Sequence, residues 1–279
     1  MKRTINENKL QLFVKYLYED EKSDLTIDKY VRDIRTFARY AEKYEINKKV
    51  ILRYKDHLKE NYAVASANSM IAALNHFFRF CGWNDLCIKQ FKVQKKAFCS
   101  VEKELTKDDY KRLVKTAEQK NNERLALVIQ TICGTGIRVS ELTAITVEAV
   151  QKGQATVSCK GKTRMIFIIS ALRKKLLKYA RACHITSGAI FITKSGKPMS
   201  RCNIWKEMKS LCVQANVSPQ KVFPHNLRHL FARTFYRIEK DIAKLADILG
   251  HSSINTTRIY IMSTGSEHRC HMESMRLVI

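Results

Sequence analysis

Between Pro224 and Tyr260 the chain carries His225, Arg228, His251 and Tyr260, a set of side chains suited to chemistry on a phosphate. Arg138 and the lysines Lys160 and Lys162 lie upstream and add cations to the set. Arginine's planar fork binds two nonbridging oxygens, and two such forks would offset the extra charge of a pentacoordinate phosphorus. A phenol has a free pKa of about 10, so a tyrosine attacking phosphorus needs its proton removed and its oxyanion supported. A nearby lysine or histidine can protonate the departing 5′ hydroxyl, and neither a metal nor a cofactor is called for. Each residue alone has a duller reading. Arg138 could simply pair with Glu141 three residues on, His225 and Arg228 share a helix face, His251 follows a helix-ending glycine, and Tyr260 sits between two isoleucines. The joint pattern is what argues for a site.

The elements that must position these residues are mostly helical. Leu10, Val14 and Leu17 stripe a first helix, and Tyr30, Ile34, Phe37 and Ala41 stripe a second. Asn47 or a neighbour caps a third, and Met70, Leu74, Phe77 and Cys81 mark a fourth that ends at Gly82. This predicts a helical bundle over residues 1–83. Within it Lys29, Arg32, Arg35 and Arg39 share one helix and are expected to meet phosphates together. Residues 84–104 break the helical period and carry Lys92, Lys95 and Lys96, which reads as a basic linker able to lie along a nucleic-acid backbone.

A second domain is expected over residues 105–279. Thr106 and Asp109 form a capping box ahead of one helix, and ERLALVIQTICGTG supplies a second, buried one. VSELTAI reads as a third. Runs at 155–158 and 164–169 predict a β-hairpin with a basic tip over Lys160 to Thr163, and Lys162 with Arg164 at its base are expected to contact nucleic acid. Further helices are expected at 170–182, 200–214, 225–238, 241–249 and 253–262, with a short strand near 189–193. The fold class is therefore mainly α with a small antiparallel sheet.

Composition narrows the partner. The 51 Lys plus Arg outnumber 26 Asp plus Glu, a formal charge of +25 that favours a polyanion, nucleic acid first and an anionic membrane surface second. No window approaches the roughly 18 consecutive apolar residues of a membrane span. MKRTINENKLQ has no apolar signal-peptide core, so a soluble intracellular protein is expected. Nine scattered cysteines without a C-x-x-C pair suggest a reducing compartment and free, mostly buried thiols. The His268, Cys270 and His271 cluster lacks the partner pair of a zinc site, so no metal is expected.

TGIRVSEL, KGKTR, HNLRH and LGHSSINTTRIY resemble, in order and spacing, the signature boxes of the tyrosine recombinases, the phage integrase family. LTIDKYVRDIRTFARY and SANSMIAALNHFFRF resemble the second and fourth helices of that family's SAM-like core-binding bundle. The resemblance implies an N-terminal SAM-like DNA-binding bundle and a C-terminal α+β catalytic domain. It implies that Arg138 and Arg228 are the catalytic arginines, with Glu141 steadying the first. Lys160 would protonate the leaving 5′ oxygen, His225 would be the box histidine, and His251 would hydrogen-bond the scissile phosphate. His229 would be a packing residue. Tyr260 would be the nucleophile, forming a 3′-phosphotyrosyl bond that retains the phosphodiester's energy.

KGKTR is a residue shorter than the KGxKxR form, so Lys162 competes with Lys160, which is preferred; Cys159 stands where glycine is frequent. An arm-binding domain ahead of the bundle is not expected, which suggests a two-domain, Xer-like organisation. The expected protein is a site-specific recombinase of double-stranded DNA, acting as a homo-tetramer on two sites, with an excisionase or other DNA-bending accessory protein as a further partner. It would work in the cytoplasm, associated with a bacterial nucleoid. The tail MSTGSEHRCHMESMRLVI would dock on a neighbouring protomer or fold back on its own domain. The rival readings are a type IB topoisomerase and a DNA-binding accessory protein without catalysis.

Overall fold

The computed structural model describes residues 3–92, 104–159, 162–261, 269 and 272–275, with Cys159 and Lys162 described as backbone only. The chain divides into two compact units, residues 1–95 and 96–279. No described helix is long and apolar enough to cross a membrane.

In the first unit the stripes and caps act as the sequence suggests. Helix α1 (Glu7–Glu19) starts where the Asn6 side chain accepts from the Lys9 amide, and α2 (Asp24–Ala41) turns Ile27, Ile34, Phe37 and Ala41 inward. Asn47 caps α3 (Lys48–Asn61) by accepting from the Val50 amide, and α4 (Val64–Phe80) buries Met70, Ile71, Leu74, Phe77 and Phe78. Phe13 meets Phe77 edge-on with ring centroids 5.2 Å apart. Each fully buried phenylalanine contributes about 1.5–3 kcal/mol relative to exposure, which holds these helices together where propensity alone would not.

The first unit reaches beyond residue 83. A short 3-10 turn (Asn84–Leu86) buries Leu86 completely, and Ile88 is also buried. Asn75 donates to the Ile88 carbonyl at 2.8 Å and accepts from its amide at 2.9 Å, while Asn68 grips the backbone of Phe91 in the same way at 2.9 and 2.7 Å. Residues 84–92 are thus strapped to the bundle by two side-chain amides and are not a free linker. Lys95 and Lys96 lie outside the described residues.

The second unit is built around α6 (Glu123–Thr135), which buries Leu125 through Ile129 and Ile132. Helix α5 (Lys107–Gln119) packs beside it, opened by the reciprocal capping box of Thr106 and Asp109. A 3-10 turn (Val139–Ala144) stands where VSELTAI predicts an α-helix, and α7 (Val147–Lys152) follows. Strands β1 (Gln154–Cys159) and β2 (Lys162–Phe167) pair antiparallel from Gln154 opposite Phe167 to Cys159 opposite Lys162. The predicted tip is therefore shorter than expected: Lys162 and Thr163 are already in the ladder.

Helix α8 (Ser170–Ala182) matches its expected span, whereas α9 (Arg201–Lys209) stops short of residue 214. Helices α10 (Pro224–Glu239), α11 (Ile242–Leu249) and the brief α12 (Ile254–Arg258) follow. The strand expected at 189–193 is not formed. Ala189 and Ile192 make single bridges to Thr146 and Pro198. Thr146 is already committed to capping α7, and Pro198 has no N–H to continue a ladder. The thiols also differ from expectation: among the described cysteines Cys212 is buried, Cys183 and Cys202 are exposed, and the others are intermediate.

Candidate active site

The second unit brings Arg138, Glu141, His225, Arg228, His251 and Tyr260 together, although they come from the 3-10 turn, α10 and the segment after α11. Two glycines make the approach of those segments feasible. Gly136 ends α6 in the left-handed region (φ +65°), and a Cβ there would come within 2.5 Å of the Phe231 ring. Gly250 ends α11 at φ +64°, and its missing Cβ would stand 2.7 Å from Cδ of Arg164. Glycine is the residue that supplies both the positive φ and the bare surface.

Glu141 is the hinge-pin of the cationic half. It is 7% exposed and accepts four hydrogen bonds: from the Arg138 amide at 2.9 Å, from Arg138 Nη1 at 2.9 Å, and from Arg164 Nη1 and Nη2 at 2.9 and 2.8 Å. Burial alone would raise its carboxyl, but the bonds from Arg164 and Arg138 outweigh that and hold it at about 2. Arg138 also donates to the Gly250 carbonyl at 3.2 Å, while its side chain stays 29% exposed. One arginine is thereby aimed and still reachable from outside.

Arg164 differs from its expected place in a DNA contact. Its side chain is 11% exposed, and Nε donates to the Ile248 carbonyl at 3.2 Å, so the whole guanidinium is taken by protein acceptors. The physical reason is strand alternation: Arg164 shares its face of β2 with buried Ile166, while Thr163, Met165 and Phe167 point to solvent. It locks the hairpin to Glu141 and to the end of α11.

Arg228 is 1% exposed. Its fork donates to the carbonyls of Gly136 and of Leu249, the latter at 2.6 Å, and Nη2 also meets His251 Nε2 at 3.1 Å. Burial and then the charge of Arg138 push it down to about 10, which leaves it cationic at neutral pH. Tyr260 is 6% exposed and packs with Ala232, Leu245 and Leu249. Its hydroxyl lies 3.4 Å from His225 Nε2, and its ring stacks on His229 at 4.1 Å with 16° between planes. His251 Nδ1 lies 2.8 Å from the hydroxyl of Thr257. Neither His229 as a clamp on the tyrosine ring nor Thr257 as a partner of His251 was legible from spacing alone.

Beside these residues lies a cavity of about 640 Å³, bounded by Arg138, His225 and Arg228 on one side and by Arg201, Trp205 and Lys206 of α9 on the other. The α9 residues have no counterpart in the sequence expectations. Their signal was a cationic and aromatic face on a helix flanking the site. Lys160 lies outside the described residues, as do His268, Cys270, His271 and most of the tail. Lys162 is placed in β2 by its backbone.

The other expected DNA contacts belong to the first unit. Lys29 is paired with Asp33 at 2.5 Å and Arg35 with Glu7 at 2.5 Å. Arg32 keeps its side chain 72% exposed and 4.0 Å from Asp33, and Arg39 is exposed with a long 3.5 Å contact to Thr36. Arg32 and Arg39 are the freer pair on α2. Lys92 is exposed.

The three site histidines have a common electrostatic bias. Burial first, then Arg228, Arg138 and Arg164, push His251 down to about 4. Burial, followed by His225 and Arg228, takes His229 to about 4 as well. His225, whose outer edge is exposed, is lowered by its packed inner face and by Arg228 and Arg138. All three rings are neutral at pH 7. An unfolded histidine binds its proton near 6.5, so between pH 6.5 and 4 the unfolded chain holds more protons than the folded one. Stability should consequently fall as pH is lowered through that window. Thermal melts should show the midpoint dropping from pH 7 to 4, and less steeply in a His251→Gln variant; a flat profile would contradict this.

Comparison with known proteins agrees with the geometry. Residues 103–267 match the model of the phage integrase family, and residues 10–84 match the phage integrase N-terminal SAM-like domain. The tyrosine recombinase XerA of Pyrococcus furiosus is 30% identical over 286 residues, covering 99% of this chain and 96% of the relative. The tyrosine recombinase XerD of Halalkalibacterium halodurans is 29% identical over 293 residues, covering 95% and 96%. Among solved structures, a XerA recombinase is similar with a TM-score of 0.55 and 26% identity over 98% of this chain and 99% of the other. A lambda integrase dimer bound to a COC′ core site shares the fold, with a TM-score of 0.75 and 20% identity over 93% and 77%. The chain belongs to the phage integrase family, the tyrosine recombinases.

Proposed function

We propose that this protein is a site-specific DNA recombinase that cleaves and rejoins strands through Tyr260. The observation that carries the reading is the convergence of two arginines and three histidines on one buried tyrosine whose hydroxyl faces His225. Tyr260 Oη attacks the scissile phosphorus and gives its proton to the neutral His225. Arg138 and Arg228 bind the nonbridging oxygens, where they offset the charge of the pentacoordinate state. His251 donates to one of those oxygens. The bond from phosphorus to the 5′ oxygen breaks, Lys160 supplies that oxygen with a proton, and a 3′-phosphotyrosyl link remains. Attack by the 5′ hydroxyl of a second strand reverses the steps, so no external energy source is consumed.

The DNA partner is double-stranded, and Arg32 and Arg39 of α2, with Lys92, Lys95 and Lys96, contribute phosphate contacts from the first unit. Strand exchange between two sites calls for four protomers. A solved relative of the same fold is a lambda integrase tetramer bound to a Holliday junction, similar with a TM-score of 0.72 and 20% identity. A DNA-bending accessory protein would set the direction of exchange, in the cytoplasm where the bacterial chromosome is.

The test begins with a duplex recovered from a randomised pool by binding to the protein. Two copies of that duplex on one supercoiled plasmid should yield exchanged products. Relaxation without exchange would support a type IB topoisomerase instead, and binding without cleavage an accessory protein. For the leaving-group acid, a 5′-phosphorothiolate at the scissile position should restore cleavage to Lys160→Ala but not to Arg138→Ala. Rescue of Lys162→Ala alone would transfer the role to Lys162.

A further inference from the structure

Both ring nitrogens of His251 are engaged, and their partners determine where the proton sits. Nε2 is 3.1 Å from Arg228 Nη2, and Nδ1 is 2.8 Å from Thr257 Oγ1. A guanidinium has donors only, so Nε2 must present its lone pair, and the neutral ring keeps its proton on Nδ1 and donates to the threonine. In this form His251 has nothing to give to a phosphate oxygen. Its Nε2 is turned toward Arg228, whose Nη1 and Nη2 are taken by carbonyls and this imidazole while the buried Nε has no partner among the described residues. The free site is in a resting state.

Leaving that state requires a partner at Nδ1 that tolerates both tautomers. A carbonyl could only accept and an amide could only donate. A hydroxyl does either after a rotation about one bond. Thr257 is 0% exposed, so water does not replace it, and it sits in the same short helix that leads to Tyr260.

We infer that Thr257 is a positioning residue that holds His251 in both of its working forms. In the free protein Thr257 accepts from Nδ1–H. When a phosphodiester takes the Nη2 donor of Arg228, Nε2 is released. The ring proton then moves from Nδ1 to Nε2 through solvent, and the threonine turns its own O–H toward the bare Nδ1. No proton is gained or lost overall. The inference rests on the reading of His251 as a phosphate donor.

Multiple-bond proton–nitrogen spectra of the full chain, labelled at the histidine rings, test it directly, with His251 assigned by its loss in His251→Asn. The free protein should show His251 protonated at Nδ1. The Tyr260→Phe protein saturated with the selected duplex should show it protonated at Nε2. In adduct assays at saturating duplex, Thr257→Ser should cleave within about threefold of wild type and the isosteric Thr257→Val about tenfold or more slower, with affinity unchanged, the scale of one buried ring nitrogen left without its hydrogen bond. Protonated Nε2 in the free protein overturns the inference, and that measurement needs no DNA. Wild-type cleavage by Thr257→Val overturns it while leaving the recombinase reading intact. Absence of any wild-type adduct overturns both.

Discussion

Arg228→Lys should reduce the rate of covalent adduct formation by roughly 10³-fold or more, the loss typical of removing donors from a preorganised oxyanion site. DNA affinity should change little, because the charge is retained and nonspecific attraction counts charges. The reason lies in the fork. Arg228 reaches Gly136 O, Leu249 O and His251 Nε2 in different directions from one rigid plane. An ammonium is a compact point charge that cannot serve those acceptors together. Carbonyls at the ends of α6 and α11 would lose their partner at a buried position, at a cost of roughly 1–3 kcal/mol each. A lowered melting temperature and an unchanged binding isotherm, alongside near-zero cleavage, is the expected combination. Cleavage within tenfold of wild type would contradict it.

Glu141→Gln should have the second largest effect and a different signature. The carboxylate neutralises Arg138 and Arg164 at once, and the amide would leave two guanidinium groups facing each other with one oxygen between them. Removing one member of a buried ionic group costs about 3–5 kcal/mol. The pH dependence follows from the depressed carboxyl. Its folded value of about 2 lies below the ordinary 4.5, so its stabilisation is complete above the ordinary value and is lost as pH falls from 4.5 toward 2. That acid loss should be absent in Glu141→Gln. Cleavage should fall too, since Arg138 would no longer be held between Glu141 and Gly250. Chemical denaturation at pH 7 and pH 3 separates the two contributions, and an unchanged denaturation midpoint at pH 7 would refute the clamp.

Much of this architecture was legible because local physics dictated it. The stripe of Ile34, Phe37 and Ala41, the Asn47 cap and the capping box of Thr106 and Asp109 are decided within a few residues of each side chain. The identities of Arg138, His225, Arg228, His251 and Tyr260 as one set came from the resemblance of their motifs. Their geometry did not, because Arg228 finds Gly136 across 92 positions and Arg164 finds Glu141 across 23. Arg164 could have been read correctly: alternation with Ile166 and Ile168 turns it inward, but a basic hairpin invites the opposite reading. The expected strand at 189–193 failed for the converse reason. Ile190 donates to the Ile145 carbonyl and Phe191 accepts from the Met199 amide, yet the flanking bridges of Ala189 and Ile192 end on an N-cap and a proline, so no ladder extends. Residues 84–92 look like a tether because their anchors, Asn68 and Asn75, lie in a helix well upstream.

The central claim is that Tyr260 is the atom donor to phosphorus. Wild-type protein should be trapped on a nicked suicide duplex, digested with trypsin and sequenced by mass spectrometry. The account predicts a single oligonucleotide-bearing peptide, joined through a 3′-phosphotyrosyl bond at Tyr260, and no adduct from Tyr260→Phe. An adduct on any other residue, or one formed equally well by Tyr260→Phe, would contradict it.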